Sequence, residues 1–286
     1  MVPILTYYVV MFAIAFMAGY LGSLVGIGGG IIIVPVMTLL FGIAPAFAAG
    51  TSLIAVIATS SGAGFTSYGK DSPANYRVGS LLVTMTAFGG ILGAIGTVLI
   101  TRGDYEWIIF VIFGIAMLFC ALDLAMGKKN DGEFPERKKR KSSSLELDSS
   151  YYDPAYGTQV YYSPDSVGKG LGLMFIAGIL SGLLGIGGGV FNGIAMNGVM
   201  KLPFRVTVAT SNFMLGTTAA ASLGVYLLCG YVYPLLVAPV AAGIVIGSIY
   251  GRKMMRIARP TVLKAIFILV IVAVGIEMIG KGAVTI

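Results

Sequence analysis

The stretch Gly26-Ile27-Gly28-Gly29-Gly30 returns as Gly185-Ile186-Gly187-Gly188-Gly189, and Thr51-Ser52 returns as Thr210-Ser211, both at an offset of 159 residues. Two matched blocks in register mark an internal duplication. Around them the chain is apolar in runs bounded by Gly, Pro or charge. Five runs lie near residues 4–25, 31–42, 45–68, 79–101 and 106–126, and five more near 170–184, 190–200, 204–229, 232–251 and 262–280. Of 286 residues, 57% are hydrophobic and 11% charged. A water-facing surface could not carry that balance without large apolar patches, so the expected solvent is lipid.

The expected fold is therefore an all-α integral membrane protein of about ten helical segments. They form two repeats of five, 1–127 and 169–286, joined by a charged, Tyr/Ser-rich linker at 128–168. An odd number of spans per half obliges the second copy to enter the membrane from the opposite side, which is an inverted-topology repeat. The basic residues agree with that arrangement. Lys128, Lys129, Arg137, Lys138, Lys139, Arg140 and Lys141 crowd the linker. On the same side fall Lys70 with Arg77, Lys201 with Arg205, and Arg252, Lys253, Arg256 and Arg259 with Lys264. The opposite loops, Gly42 to Pro45, Arg102 to Glu106 and Gly230 to Pro234, are poor in positive charge.

By the positive-inside rule the linker is cytoplasmic and both termini face outward from a cell membrane. Without interleaved aromatics or a recognition fold, the basic cluster does not read as a nucleic-acid site. Met1 to Tyr8 contains no Lys or Arg, and no cleavage site follows the first apolar run, so no signal peptide is expected.

The two short runs, 31–42 and 190–200, decide where function sits. Twelve residues of helix span only about 18 Å against a hydrocarbon core of about 30 Å, so these read as half-helices. A Gly-rich break followed by a short apolar run, in both halves, points to a substrate site made by discontinuous helices. Gly28, Gly29 and Gly30, with Gly187, Gly188 and Gly189, let the backbone approach closely. The dipoles of the helices that follow present positive ends to an anion. Thr51, Ser52, Asn192, Thr210, Ser211 and Asn212 supply neutral donors, which suit an anion that must leave again.

Gly22, Gly26, Gly30 and Gly243, Gly247, Gly251 also have the small-xxx-small spacing of helix packing, and the last three read as packing. Such faces serve internal contacts or a homo-oligomer. Thr84, Thr86, Thr97, Thr217 and Thr218 can simply bond to the preceding turn. Asp123 and Glu277, the acids deep in apolar segments, are candidates for proton coupling, or else headgroup-level residues beside Lys128 and Lys281.

Gly64 to Lys70 has P-loop spacing, but Asp71 stands where Ser or Thr would hold a metal. The glycine blocks lack the third glycine of a dinucleotide fingerprint, with Ile31 and Val190 in its place. No cofactor is expected. The chain has no histidine, and Cys120 and Cys229 lie in apolar runs, so neither a zinc site nor a disulfide is expected.

Paired halves that each run into Gly-x-Gly-Gly-Gly and then a small-Thr-Ser block resemble the TauE/SafE family of sulfite exporters. The carrying residues are Gly26, Gly28, Gly29, Gly30, Pro35, Gly50, Thr51 and Ser52, then Gly185, Gly187, Gly188, Gly189, Ala209, Thr210 and Ser211. The resemblance implies a permease for sulfite, thiosulfate, a sulfonate or a related small anion, usually moved outward. The second half departs from the pattern, with Phe191 and Asn192 after the glycines and no Pro matching Pro35. Alternating access around a site fixed between the halves is the expected mechanism. Three rivals are proton-driven uptake through Asp123 or Glu277, a membrane enzyme using Cys120 or Cys229, and a scaffold in which the glycine loops serve folding alone. The linker, with Tyr151, Tyr152, Tyr156, Tyr161 and Tyr162, is expected to be a flexible loop.

Overall fold

A computed structural model describes residues 4–25, 28–67, 74–126, 147–153, 158–255 and 260–284. The first half contributes α1 (Ile4–Val25), α2 (Gly30–Leu39), α3 (Pro45–Ser67), α4 (Tyr76–Arg102) and α5 (Glu106–Met126). A hairpin of β1 (Ser149–Asp153) and β2 (Thr158–Tyr162) follows. The second half contributes α6 (Val167–Leu184), α7 (Gly189–Gly193) running into a π-helical segment (Ile194–Val199), then α8 (Phe204–Leu228), α9 (Pro234–Met255) and α10 (Pro260–Val284). The helices start where the local chemistry says they should. Pro45, Pro234 and Pro260 occupy first helical positions, where a missing N–H costs nothing. The Asn75 side chain caps α4 by accepting from the Val78 N–H at 3.1 Å.

Both short runs are short helices. α2 has ten residues, and α7 with its π-helical continuation spans residues 189–199. Among the described residues, α1, α4, α5, α6 and α9 contain stretches long and apolar enough to cross a membrane. α3 and α8 are long too, but Thr51, Ser52, Thr59, Ser60 and Ser61 interrupt one, and Thr207, Thr210, Ser211 and Asn212 the other.

The main packing pairs are α1 on α9, α4 on α6, α5 on α10, α3 on α8, α4 on α8 and α3 on α9. This set is unchanged if α1 is exchanged with α6, α3 with α8, α4 with α9 and α5 with α10. Glycines make the two tightest pairs possible. Side chains at Gly243, Gly247 and Gly251 of α9 would run into the Phe12, Phe16 and Tyr20 carbonyls of α1. Side chains at Gly89 and Gly93 of α4 would run into the Phe175 and Ile179 carbonyls of α6, and Gly178 and Gly182 do the same toward Thr86 and Gly90. Close backbone approach of this kind is what holds helices together where the surrounding solvent is as apolar as the side chains.

The linker differs from the expectation of a flexible loop. The residues 147–153 and 158–162 form an antiparallel hairpin in which Ser149 pairs with Tyr162 and Asp153 with Thr158. Alternation along the strands explains it. Tyr151 and Tyr162 are 7% and 8% exposed, whereas Tyr152 and Tyr161 are 51% and 63% exposed. The buried pair packs with Leu147 against Val78, Leu82, Met174, Met200, Leu202 and Val206 at the ends of α4, α6 and α8. Tyr156 and the basic run 128–141 lie outside the described residues.

Candidate substrate site between the two glycine breaks

The two glycine blocks meet. A Cβ on Gly30 would touch Ser52 Oγ and Val56 Cγ2 at 2.8 Å and the Gly185 carbonyl at 3.3 Å. Gly185 (φ 71°), Gly187 (φ 75°) and Gly188 (φ 78°) all adopt the left-handed backbone, as does Gly28 (φ 83°) in the first block. A side chain on Gly185 would strike the Ala49 backbone at 2.5 Å, and one on Gly187 would strike Val56. Leu215 reaches toward both Gly28 and Gly187. The starts of α2 and α7 therefore converge on the paired helices α3 and α8.

Each Thr-Ser pair serves the break of its own half. The Ser52 hydroxyl donates to the Gly30 carbonyl at 3.3 Å. In the second half the Asn192 amide donates to Ser211 Oγ at 3.4 Å. Thr51, Ser52 and Thr210 are fully buried, and Asn192 and Ser211 nearly so.

The threonines separate into two kinds. Thr38, Thr59, Thr86 and Thr97 each donate to the carbonyl four residues earlier, the ordinary resting place of a hydroxyl in a membrane helix. Thr51 Oγ1 has no partner among the described residues. Thr210 Oγ1 accepts from the Asn75 N–H at 3.0 Å and keeps its own proton uncommitted. Ser181 Oγ, Thr207 Oγ1 and Asn192 Oδ1 are buried without a partner as well. Gly188 sits between two of these, since a Cβ there would lie 3.3 Å from Ser181 Oγ and 3.6 Å from Asn192 Oδ1. Unpaired buried polar atoms are costly, so Ser181 and Asn192 on either side of Gly188 call for an explanation. A substrate that supplies the missing partner is one.

The side chains brought together here carry no formal charge. Of the residues singled out from sequence, Gly28, Gly29, Gly30, Thr51, Ser52, Gly187, Gly188, Gly189, Asn192, Thr210 and Ser211 lie on the converging breaks and helices. Asn212 is present through its backbone, its carbonyl accepting from the Ser60 hydroxyl. Ser181 and Thr207 escaped the sequence reading because neither belongs to the repeated block. Their position was the available signal: Ser181 lies one turn before Gly185, and Thr207 shares a helix face with Thr210.

Asp123 and Glu277 sit on α5 and α10, which pack chiefly on each other. Asp123 is half-buried and Glu277 is exposed. Lys281, four residues after Glu277 on α10, donates to the Thr38 carbonyl near the end of α2 and lies 5.1 Å over the Phe110 ring. That places a cation at the negative end of a half-helix. Cys120 is buried among Ile31, Phe113, Met117 and Ile186, and Cys229 ends α8.

Apolar crossing helices surrounding two broken helices that converge on a neutral polar centre are the build of a membrane transporter. The chain belongs to the TauE/SafE family: the model of that family, described as Sulfite exporter TauE/SafE, matches residues 11–278. It is 29% identical over 282 residues to "Probable membrane transporter protein YunE" of Bacillus subtilis, covering 96% of this chain and 98% of that protein. It is 28% identical over 255 residues to "Probable membrane transporter protein MJ0441" of Methanocaldococcus jannaschii, covering 84% and 82%. It is 25% identical over 260 residues to "Probable membrane transporter protein YdhB" of Bacillus subtilis, covering 91% and 94%. No solved structure matches the chain.

Proposed function

We propose that the protein is a secondary transporter that exports a small anion, sulfite or a related sulfur oxyanion or sulfonate, by alternating access. The observation that supports this reading is the pair Thr51 and Thr210, equivalent buried threonines on the paired helices α3 and α8 whose hydroxyl protons are committed to nothing among the described residues. The Ser60 hydroxyl donates to the Asn212 carbonyl and accepts from the Gly216 N–H, and Thr51 precedes Ser60 by about 13 Å of helix, so an anion would receive the Thr51 and Thr210 protons in turn, at the two ends of the site. No cation holds it, so release is not impeded by a strong ion pair. The family supports the sulfur oxyanion as cargo.

The exchangeable packing pairs support an inverted repeat of residues 1–127 and 169–286. In this reading one half rocks against the other while α3 and α8 keep the anion between them. The basic linker is cytoplasmic and both termini are outside. Outward movement of an anion from a negative-inside cell is favoured by about 2.3 kcal/mol per charge per 100 mV, so efflux needs no coupled ion. The centre requires no cofactor and no cysteine.

Counterflow of radiolabelled sulfite into proteoliposomes tests the cargo, with sulfate, thiosulfate, sulfoacetate and acetate as competitors. Uptake that sulfur anions suppress and acetate does not is the expected result. Absence of any sulfite movement, with the protein folded, would remove sulfite from the account.

A further inference from the structure

The hairpin is joined to the candidate site by a short buried chain of polar groups. The Asn75 backbone N–H donates to Thr210 Oγ1 at 3.0 Å. The Asn75 side-chain amide donates to the Tyr162 hydroxyl at 3.2 Å and to the Leu147 carbonyl at 3.4 Å. Its oxygen accepts from the Val78 N–H. Every hydrogen-bonding group on that side chain is thus used, in a residue only 6% exposed. Burial raises the pKa of the Tyr162 hydroxyl above its ordinary value, against the opposing effect of its hydrogen bonds with Ser149 and Asn75, so the hydroxyl stays protonated.

The hairpin also packs over the linker end of α8. It packs on Val206, one turn before Thr210 in α8, and on Leu202 and Met200 just ahead of that helix. Asp165, after the hairpin, is tied to the same place: its N–H donates to the Met200 carbonyl at 3.0 Å and its carboxylate lies 3.9 Å from the Lys201 ammonium. An anion approaching Thr210 along α8 from the linker side meets Tyr162 and Leu147 first.

We propose that the linker hairpin is a lid over the linker-side entrance to the central site, and that Asn75 is the positioning residue clasping it to Thr210. The inference rests on the transporter reading above. With the lid down, Asn75 fixes the Thr210 oxygen and leaves its proton facing the anion. Lifting the lid breaks the Asn75–Tyr162 contact and opens the path past Val206.

The test uses accessibility, so that its failure is separable from failure of the transport reading. Single reporter cysteines, Val206→Cys beneath the hairpin and Ala46→Cys at the start of α3, are placed in a Cys120→Ser/Cys229→Ser background. Each full-length protein is labelled with a charged maleimide in vesicles containing no sulfite. Tyr162→Phe, which keeps the ring and removes the hydroxyl, is expected to speed labelling at Val206→Cys about fivefold, the size that loss of one hydrogen bond gives. Labelling at Ala46→Cys should stay unchanged. Asn75→Ala is expected to have a larger effect at the same reporter. Acceleration at both reporters would mean general loosening, and acceleration at neither would mean no lid; either result overturns the proposal. Sulfite counterflow in the same variants separately scores transport.

Discussion

The two glycine breaks descend from one repeated motif, yet they are held differently. In the first, Gly28 is in the left-handed region like its counterpart Gly187, but Gly29, at φ −74°, is helical where its counterpart Gly188 is left-handed, and the chain leads into α2, a regular ten-residue helix. The second has Gly185, Gly187 and Gly188 all in that region and leads into a five-residue helix that widens into a π-helical segment. Its end is tied back by Asn197, whose amide donates to the Leu202 carbonyl at 2.9 Å. The threonines follow the same division: Thr210 is engaged by Asn75, and Thr51 by nothing among the described residues. The second half is the anchored side of the site, linked to the hairpin, and the first half is the side with freedom to respond. π-helical turns recur at functional sites, and this one adjoins Asn192.

The difference between the two breaks should show most at the glycines. Gly185→Ala forces a left-handed alanine into the Ala49 backbone, and should cost more than about 3 kcal/mol or prevent folding. Gly28→Ala is strained too, but its Cβ meets nothing nearer than Leu215 Cδ1 at 3.8 Å, so its cost should be about 1 kcal/mol. Thermal unfolding in detergent measures both. Equal losses would show that the breaks are built alike.

The threonines sharpen it at the next level. Thr210→Val leaves the buried Asn75 N–H without an acceptor and should cost about 1–3 kcal/mol. Thr51→Val removes a hydroxyl that has no partner, so stability should stay within about 0.5 kcal/mol of the parent or improve. A stability loss at Thr51 as large as at Thr210 would contradict the assignment of the free and anchored sides.

The smallest effect is expected at the acids. Glu277 is exposed on α10, away from the converging breaks, and Glu277→Gln should change sulfite counterflow by less than about twofold. Asp123→Asn should behave the same way. A flattened pH dependence of transport in either variant would instead favour proton coupling through that residue.

Much of this was legible in the sequence. Apolar runs bounded by proline and glycine give the helices to within a few residues, because in lipid the backbone has few other ways to satisfy its polar groups. The repeated blocks marked the breaks because glycine triplets tolerate neither regular helix nor strand well. The hairpin was hidden, since its Tyr, Ser and Asp composition also suits a disordered linker, and only contact with α4, α6 and α8 decides between them. The role of Asn75 was hidden for the same reason: it lies outside the repeated block, and its partners come from α8 and the linker. Lys281 reads from sequence as a base beside Glu277, and its bond to the Thr38 carbonyl, 243 residues away in the chain, comes from the packing of α10 near α2.

Thr51 and Thr210 hold the uncommitted hydroxyls on which anion binding would depend. Sulfite counterflow should be measured for Thr51→Val, Thr210→Val and Thr59→Val, the last a buried threonine whose hydroxyl already donates to the Ala55 carbonyl. The prediction is a loss of at least about tenfold in the first two variants, about one charge-assisted hydrogen bond each, with near-parental transport in the third. Parental transport in Thr51→Val, or an equal loss in Thr59→Val, would contradict the site.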